Sequence, residues 1–175
     1  ELLLNRLKKL QMGDPLQPST DIGPIARKDL QLNLHRQVED TVAAGAKCLL
    51  GGELPDTDGF FYPVTLLTEV TPTMCAFREE TFGPIMAVIK AEDHEHALEM
   101  ANDTEYGLGA SIWTKNAELA SHLAMQLQSG QVAINGIVKT DPRLPSGGIK
   151  GSGFGRELGP HGIHEFVNAK QVWIK

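Results

Sequence analysis

The stretch "LGASIWTKNAELASHLAMQLQSGQVAIN", residues 108–135, decides the predicted fold. Its first part, "LGASIWT", and its last part, "QVAIN", are typical of strands. The segment between them predicts a helix that is capped by Asn116 and closed by Gly130. Two strands separated by a helix with short links are usually parallel and joined by a right-handed crossover. The stretch therefore predicts a βαβ unit.

The same alternation begins upstream, at residue 84. "PIMAVIK" at residues 84–90 predicts a strand, and "EDHEHALEMANDT" at residues 92–104 predicts a helix with Asp93 as its N-cap. Together with the βαβ unit, this gives strand, helix, strand, helix and strand in succession. We therefore expect an α/β fold with a mostly parallel sheet and crossover helices.

The remaining segments predict shorter elements. One helix is expected before residues 13–15 and a second over about residues 27–44. Short strands are expected in "KCLLGG" and "FYPVTLL", residues 47–52 and 61–67. After residue 160, a short helix, "PHGIHEF", precedes a final strand, "VNAKQVWIK", at residues 167–175.

The composition excludes several classes of protein. The 175 residues, 41% of them hydrophobic, can bury one core and are expected to form one domain. A net charge of −6 without any basic run argues against a nucleic-acid partner. No apolar stretch approaches the ~18 residues that a membrane helix needs. Only two cysteines occur, which fits the reducing cytoplasm. We expect a cytoplasmic protein that binds neither nucleic acid nor membrane.

A glycine-rich segment, "GGIKGSGFGRELG" at residues 147–159, raises the question of a phosphate site. The G-x-G-x-x-G spacing fails, because Arg156 and Leu158 stand where the third glycine is required. No strand leads directly into the segment either, as a dinucleotide fingerprint requires. Within it, Glu157 is a candidate for proton relay, and the alternative is a structural pair with Arg156.

A second candidate is "REETFGP", residues 78–84, at the mouth of a predicted parallel strand. Loops at the ends of strands are where α/β sheets place ligands. The carboxylates of Glu79 and Glu80 can accept hydrogen bonds from ribose hydroxyls, and Phe82 can support a flat heterocycle. The alternative is a solvated acidic turn with a core phenylalanine.

The cysteines and histidines indicate no further chemistry. Cys48 lies in a strand that is predicted to be buried, and Cys75 has no base or orienting group beside it in the sequence. Both are predicted to be structural filler. The six histidines do not show the spacing of a zinc site, and no metal is expected.

Five segments, in this order and spacing, resemble the carboxy-terminal portion of the aldehyde dehydrogenase superfamily. They are "GDPLQPSTDIGPI" (13–25), "REETFGPIMAVIK" (78–90), "NDTEYGLGASIWT" (102–114), "VAIN" (132–135) and "GGIKGSGFGRELG" (147–159). The resemblance implies an enzyme that oxidises an aldehyde to a carboxylate through a cysteine thioester, with NAD or NADP as cofactor. It assigns Glu80 to the nicotinamide ribose, Phe82 to packing against that end of NAD(P), and Glu157 to proton handling near the hydrolytic water.

The resemblance also divides the chain by role. Residues 1–159 correspond to the carboxy-terminal portion of the catalytic domain, in which the glycine loop closes over the active-site funnel. Residues 160–175 correspond to a terminal helix and an oligomerisation strand, which implies a homo-oligomer. The family's nucleophilic cysteine and its dinucleotide-binding domain lie upstream of Glu1, and neither cysteine here matches the nucleophile's context. We expect this chain to be a piece of an enzyme, inactive without the upstream part of the same polypeptide. The alternative is a non-catalytic module that retains the oligomerisation surface.

The segment "NGIVKTDPRLPSGGIKGSGFGRELGPHGIHEF", residues 135–166, looks most like bacterial succinate-semialdehyde dehydrogenases. This resemblance implies that a hydroxyl near Thr140 holds the far carboxylate of the substrate. Arg143 either adds positive charge there or braces the loop. Ser146 stands where the family commonly has phenylalanine, which implies a roomier or more polar pocket. The choice between NAD and NADP stays open, because the residue that contacts the 2′ position lies in the absent domain.

Overall fold

The computed structural model describes residues 1–175, and its internal contacts divide them into two units, Glu1–Ala91 and Glu92–Lys175. The expectation of one domain with a single core stays a prediction, and the buried core cluster lies in the first unit. The predicted division of roles at residue 159/160 concerns function in the family and stays a prediction.

The first unit contains a three-stranded sheet and three helices. Its elements are α1 (Leu2–Leu7), α2 (Lys28–Ala43), β1 (Lys47–Leu50), β2 (Thr65–Thr68), α3 (Cys75–Arg78) and β3 (Ile85–Ala87). The strand order is β1-β2-β3, with β1 antiparallel and β3 parallel to β2. Because β1 lies at the edge of the sheet, Cys48 is exposed, and the prediction of a buried strand there was wrong.

The core of the first unit forms between α2 and the sheet. Its buried residues are Leu34, Val38, Ala46, Tyr62, Leu67, Val70 and Met74. Leu34 and Val38 follow the i, i+4 spacing that places both on one face of α2. Thr41 continues this face and is fully buried. Although α2 has 16 residues, no helix of the structure is long and apolar enough to cross a membrane.

The second unit contains two separate pairs of strands. Its elements are α4 (His94–Asn102), β4 (Tyr106–Gly107), β5 (Gly109–Ile112), α5 (Ala117–Gln126), β6 (Gln131–Ile134), β7 (Ile149–Lys150) and α6 (Gly159–His164). β5 and β6 are parallel and joined through α5, as the sequence predicted. Both predicted caps are confirmed, because Asp93 accepts from the His96 N–H and Asn116 from the Leu119 N–H.

The sheets are mixed rather than mostly parallel. β2 and β3 form one parallel pair and β5 and β6 the other, whereas β1–β2 and β4–β7 are antiparallel. The alternation of strands and helices from residue 84 suggested one sheet, but β3 belongs to the sheet of the first unit. The order strand, helix, strand predicts that two strands run parallel to each other. It does not predict which strands are neighbours in a sheet, because that depends on which strand edges meet in three dimensions.

The final strand predicted at residues 167–175 is absent from the structure. These residues have no regular secondary structure, and all of them are exposed. Val172, Trp173 and Ile174 are each at least 74% exposed. A strand exists only when another strand pairs with it, and within one chain this segment has no such neighbour.

The loop ends that follow β5 and β6 are held together by one side chain. Asn135, directly after β6, has a left-handed backbone with φ of 52°. Its Oδ1 accepts from the Thr114 N–H at 2.9 Å, and its Nδ2 donates to the Thr114 carbonyl at 2.8 Å. We call this pair of hydrogen bonds the Asn135 clasp. It extends the parallel pairing of the two strands by one step.

Candidate functional site

The two adjacent carboxylates of the 79–84 loop have different environments. Glu79 Oε2 accepts from Gln37 Nε2 at 3.0 Å and from Arg36 Nη2 at 2.7 Å. These hydrogen bonds, that of Gln37 first, hold the pKa of the Glu79 carboxyl below its ordinary value of 4.5. Glu79 is therefore occupied by partners on α2.

The Glu80 carboxylate, in contrast, has no hydrogen-bond or ion-pair partner in the chain. The residue is exposed, and only its backbone carbonyl is held, by Gln37 Nε2 at 3.1 Å. Phe82, two residues later, is 72% exposed, which excludes the alternative of a core phenylalanine. The loop thus presents one free carboxylate and one free aromatic ring.

The same loop is fixed against α2 at its other end. A Cβ atom at Gly83 would lie 2.2 Å from Leu34 Cδ2, so only glycine fits against this buried leucine. The Pro84 carbonyl then accepts from the Thr65 N–H at 2.9 Å, at the point where β3 begins beside β2. The backbone that carries Glu80 is therefore held on both sides.

In the second unit, the glycine loop folds back on the segment that precedes it. The backbones of Ser146 and Glu157 exchange two hydrogen bonds of 2.8 Å, and the Gly159 N–H donates to the Pro142 carbonyl at 3.1 Å. Arg156 Nη1 donates to the carbonyls of Gly148 and Gly155 at 2.8 and 2.6 Å. Arg156 therefore braces the loop itself. It forms no pair with Glu157, whose side chain is exposed and unpaired.

Close packing explains one glycine outside this loop. A Cβ atom at Gly130 would lie 1.8 Å from the carbonyl oxygen of Gly147. The start of β6 and the glycine loop therefore pass each other at a distance that no side chain allows. This contact, together with the Arg156 bonds, identifies the glycine-rich segment as scaffolding for the residues around it.

Ser146 and Glu157 line one cavity of about 420 Å³. Phe154 and Phe166, both almost fully exposed, also contribute to its walls. Ser146 further lines a neighbouring cavity of about 360 Å³ with Lys139 and Leu144. The structure thus brings together Ser146 and Glu157 among the predicted site residues of this unit.

Arg143, the cation that was predicted to contact the substrate, is paired with a carboxylate of its own loop. Arg143 Nε and Nη2 donate to the two carboxylate oxygens of Asp141 at 2.9 and 2.6 Å. This hydrogen bonding raises the pKa of the Arg143 guanidinium and lowers that of the Asp141 carboxyl. Of the two roles considered for Arg143, the geometry supports the loop brace. Thr140 is exposed, and its hydroxyl is unpaired.

Neither cysteine has the surroundings of an activated nucleophile. Cys48 Sγ lies 3.3 Å from the Leu50 carbonyl on the exposed edge strand. Burial and hydrogen bonding to Glu79 raise the pKa of the Cys75 thiol, although Arg36 lies beside it. A raised thiol pKa reduces the reactive thiolate. No group of three histidine, cysteine, aspartate or glutamate side chains is placed to hold a metal ion.

Two residues of α2, Arg36 and Gln37, belong to the site although the sequence did not predict them there. Arg36 pairs with Asp40 at 2.6 Å as well as with Glu79. The i, i+4 spacing of Arg36 and Asp40 could have predicted the first pair, but not the second. No pattern in the sequence indicated that Gln37 contacts the site. Its importance depends on residues more than 40 positions away in the chain.

Comparisons with known proteins agree on one family. A family model described as "Aldehyde dehydrogenase family" matches residues 1–172. The chain is 50% identical over 172 residues to a probable succinate-semialdehyde dehydrogenase (NADP(+)) of Synechocystis sp., covering 98% of this chain and 38% of that protein. It is 52% identical over 164 residues to the succinate semialdehyde dehydrogenase (NAD(P)+) Sad of Escherichia coli, covering 94% and 36%.

A solved structure gives the same answer for the fold. The NAD-dependent aldehyde dehydrogenase from Sinorhizobium meliloti superposes with a TM-score of 0.90 at 38% identity, over 94% of this chain and 33% of that one. The predicted α/β class is confirmed. The chain spans less than two fifths of the length of these relatives.

Proposed function

The chain belongs to the aldehyde dehydrogenase family, and on this premise we propose that it forms the carboxy-terminal part of an enzyme that oxidises succinate semialdehyde to the carboxylate with NAD or NADP. Relatives at 50% and 52% identity bear the name of succinate-semialdehyde dehydrogenase, which supports this substrate. The names of both include a nicotinamide cofactor.

The observation that carries the proposal is the free carboxylate of Glu80 beside the exposed ring of Phe82. An ionised carboxylate accepts hydrogen bonds from adjacent ribose hydroxyls, and an aromatic face packs against a flat heterocycle. These residues fit the nicotinamide end of the cofactor. Glu80 and Phe82 would hold the nicotinamide end of NAD(P), which would supply the hydride acceptor for the oxidation.

We propose that hydroxyl groups bind the far carboxylate of the substrate by donating hydrogen bonds to it. The hydroxyl of Thr140 is exposed and unpaired, and Ser146 lines two cavities at the base of the same loop. Arg143 is not required as a donor, because Asp141 already takes its guanidinium. A site that binds through hydroxyls selects by hydrogen bonding and tolerates an uncharged aldehyde poorly.

Glu157 is proposed to move a proton near the hydrolytic water. Its carboxylate is exposed and lines a cavity with Ser146, while its backbone is fixed by two hydrogen bonds. The nucleophile comes from another part of the polypeptide, since Cys48 Sγ donates only to backbone carbonyls and burial raises the pKa of the Cys75 thiol.

We propose a cytoplasmic homo-oligomer in which residues 167–175 pair with another subunit. The exposed apolar side chains of Val172, Trp173 and Ile174 support pairing, and the two free cysteines fit a reducing compartment. A strand that lacks a neighbour in its own chain can gain one by β-augmentation.

A direct assay tests the proposed function. The full-length enzyme is supplied with succinate semialdehyde, butyraldehyde and each of NAD+ and NADP+, and the formation of NAD(P)H is measured. We expect kcat/KM to be at least about tenfold higher for the semialdehyde, the difference that one substrate hydrogen bond provides. Equal kcat/KM for both aldehydes would contradict the substrate, and no NAD(P)H with any aldehyde would contradict the function.

A further inference from the structure

We propose that Gln37 is a positioning residue for the cofactor site: through its side-chain amide, α2 sets the direction of Glu80 and thereby its hold on the nicotinamide ribose. This inference rests on the proposed function of Glu80. It adds a residue on a distant part of the chain that neither the sequence pattern nor the motif around Glu80 indicates.

The geometry of the amide supports this role. Gln37 is 2% exposed, and its Nε2 makes two hydrogen bonds, one to Glu79 Oε2 at 3.0 Å and one to the Glu80 carbonyl at 3.1 Å. One nitrogen therefore ties down the side chain of the first glutamate and the backbone of the second. The backbone from which the Glu80 side chain extends is therefore fixed against α2.

The other atom of the amide indicates why glutamine is present. Gln37 Oε1 is buried and has no hydrogen-bond partner. The amide cannot be reversed to correct this, because an oxygen would then face the Glu79 carboxylate and the Glu80 carbonyl. An unpaired buried acceptor opposes folding. The two donated hydrogen bonds are therefore the feature that explains glutamine at this buried position.

Neighbouring contacts make the support rigid. Leu34, one turn before Gln37, packs against Gly83, and Thr41, one turn after it, accepts from the Ala76 N–H at 2.9 Å. α2 therefore contacts the segment around Glu80 at three successive turns. A change in the middle contact alters the direction of Glu80 while the outer two keep the segment in place.

The test is a double-mutant cycle in the full-length enzyme, with Gln37→Met, Glu80→Gln and the double variant. Methionine preserves length and apolar contact but removes the donor. Gln31→Met is the matched control, because Gln31 is also a buried glutamine of α2 and donates to a backbone carbonyl, that of Phe61 at 2.6 Å. Gln37→Asn, which keeps an amide on a shorter side chain, serves as a second variant if Gln37→Met fails to fold.

Three readouts separate positioning from general damage. We expect Gln37→Met to lower the single-turnover rate of NAD(P)H formation by about tenfold and to weaken binding of the whole cofactor. The inhibition constant of AMP, which contains only the adenosine half, should stay unchanged. The double variant should be no slower than Glu80→Gln alone, since both remove the same hold on the ribose. Gln31→Met should keep the wild-type rate.

The other possible results distinguish a wrong role for Glu80 from a wrong role for Gln37. If Glu80→Gln itself leaves the single-turnover rate unchanged, the assigned role of Glu80 fails and this inference fails with it. If Glu80→Gln is slow but Gln37→Met matches Gln31→Met, only the role of Gln37 fails. Independent, multiplicative losses in the double variant, or a weaker AMP affinity, would likewise overturn the role of Gln37, because its effect would not pass through Glu80.

Discussion

Adjacent glutamates in the 79–84 loop permit a sharp test, because the same substitution at each should produce opposite phenotypes. Glu79→Gln removes a carboxylate that accepts from Arg36 and Gln37, whereas Glu80→Gln removes one that has no partner in the chain. We expect the first variant to lose stability with little change in turnover. The second should keep its stability and lose turnover.

The magnitude for Glu79→Gln follows from its contacts. A hydrogen bond to a charged group contributes more than a neutral one, but both the Glu79 and Arg36 side chains are nearly half exposed, which screens the pair. We therefore expect a loss of about 1 kcal/mol in the free energy of unfolding at neutral pH. Because folding lowers the pKa of Glu79, its contribution is present above the unfolded pKa and is lost as the pH falls through the folded pKa. The gap between wild type and variant should close in acid.

For Glu80→Gln, the midpoint of urea denaturation should match that of the wild type. The single-turnover rate of NAD(P)H formation should fall by about tenfold or more, because the ribose loses a charge-assisted hydrogen bond. Urea denaturation and single-turnover kinetics on both full-length variants are the measurements. The reasoning is refuted if Glu79→Gln is the slower enzyme, or if the two variants lose equal amounts of stability.

Four further expectations concern other parts of the chain. The 175-residue chain alone should form no NADH from aldehydes, because neither Cys48 nor Cys75 has the surroundings of an activated nucleophile; aldehyde-dependent NADH formation by the purified chain would show otherwise. Thr140→Val should raise KM for succinate semialdehyde by about tenfold and leave butyraldehyde unaffected; an equal loss on both would mean that the loop acts through shape. Removal of residues 167–175 should yield smaller oligomers in light scattering, and an unaltered oligomer would contradict the pairing of this segment. Thr41→Val should cost about 1–3 kcal/mol in urea denaturation, because the Ala76 N–H loses its only acceptor; Thr41→Ser retains that acceptor, and an equal loss in both variants would assign the effect to packing.

Local signals predicted the local structure well. The N-caps Asp93 and Asn116 act within three residues of themselves, so the sequence contains all the information that their hydrogen bonds require. The parallel pairing of β5 with β6 was predicted for a similar reason, since one helix separates the two strands. The α/β class follows from these elements.

Features that depend on distant partners were not predictable. The exposure of Cys48 follows from the edge position of β1, and that position is visible only once the strand order is known. The terminal segment alternates like a strand, but no strand of the chain pairs with it. For the candidate site, the motif predicted that a carboxylate of the 79–84 loop is functional. From the residues alone both Glu79 and Glu80 were candidates, and only the family resemblance singled out Glu80. That Arg36 and Gln37 of α2 occupy Glu79 depends on contacts over more than 40 positions in the chain.

The Asn135 clasp also protects a residue that is prone to chemical damage. Asn135 is followed by Gly136, and an asparagine before glycine is prone to deamidation, because the unhindered next N–H attacks the side-chain amide to form a succinimide. Here both atoms of that amide are held by Thr114, so the carboxamide cannot turn freely toward Gly136. Once deamidation occurs, the donor to the Thr114 carbonyl becomes a negative carboxylate and repels it. Deamidation of Asn135 should therefore begin in molecules in which the ends of β5 and β6 have separated. Once it has occurred, the new carboxylate should keep these ends apart.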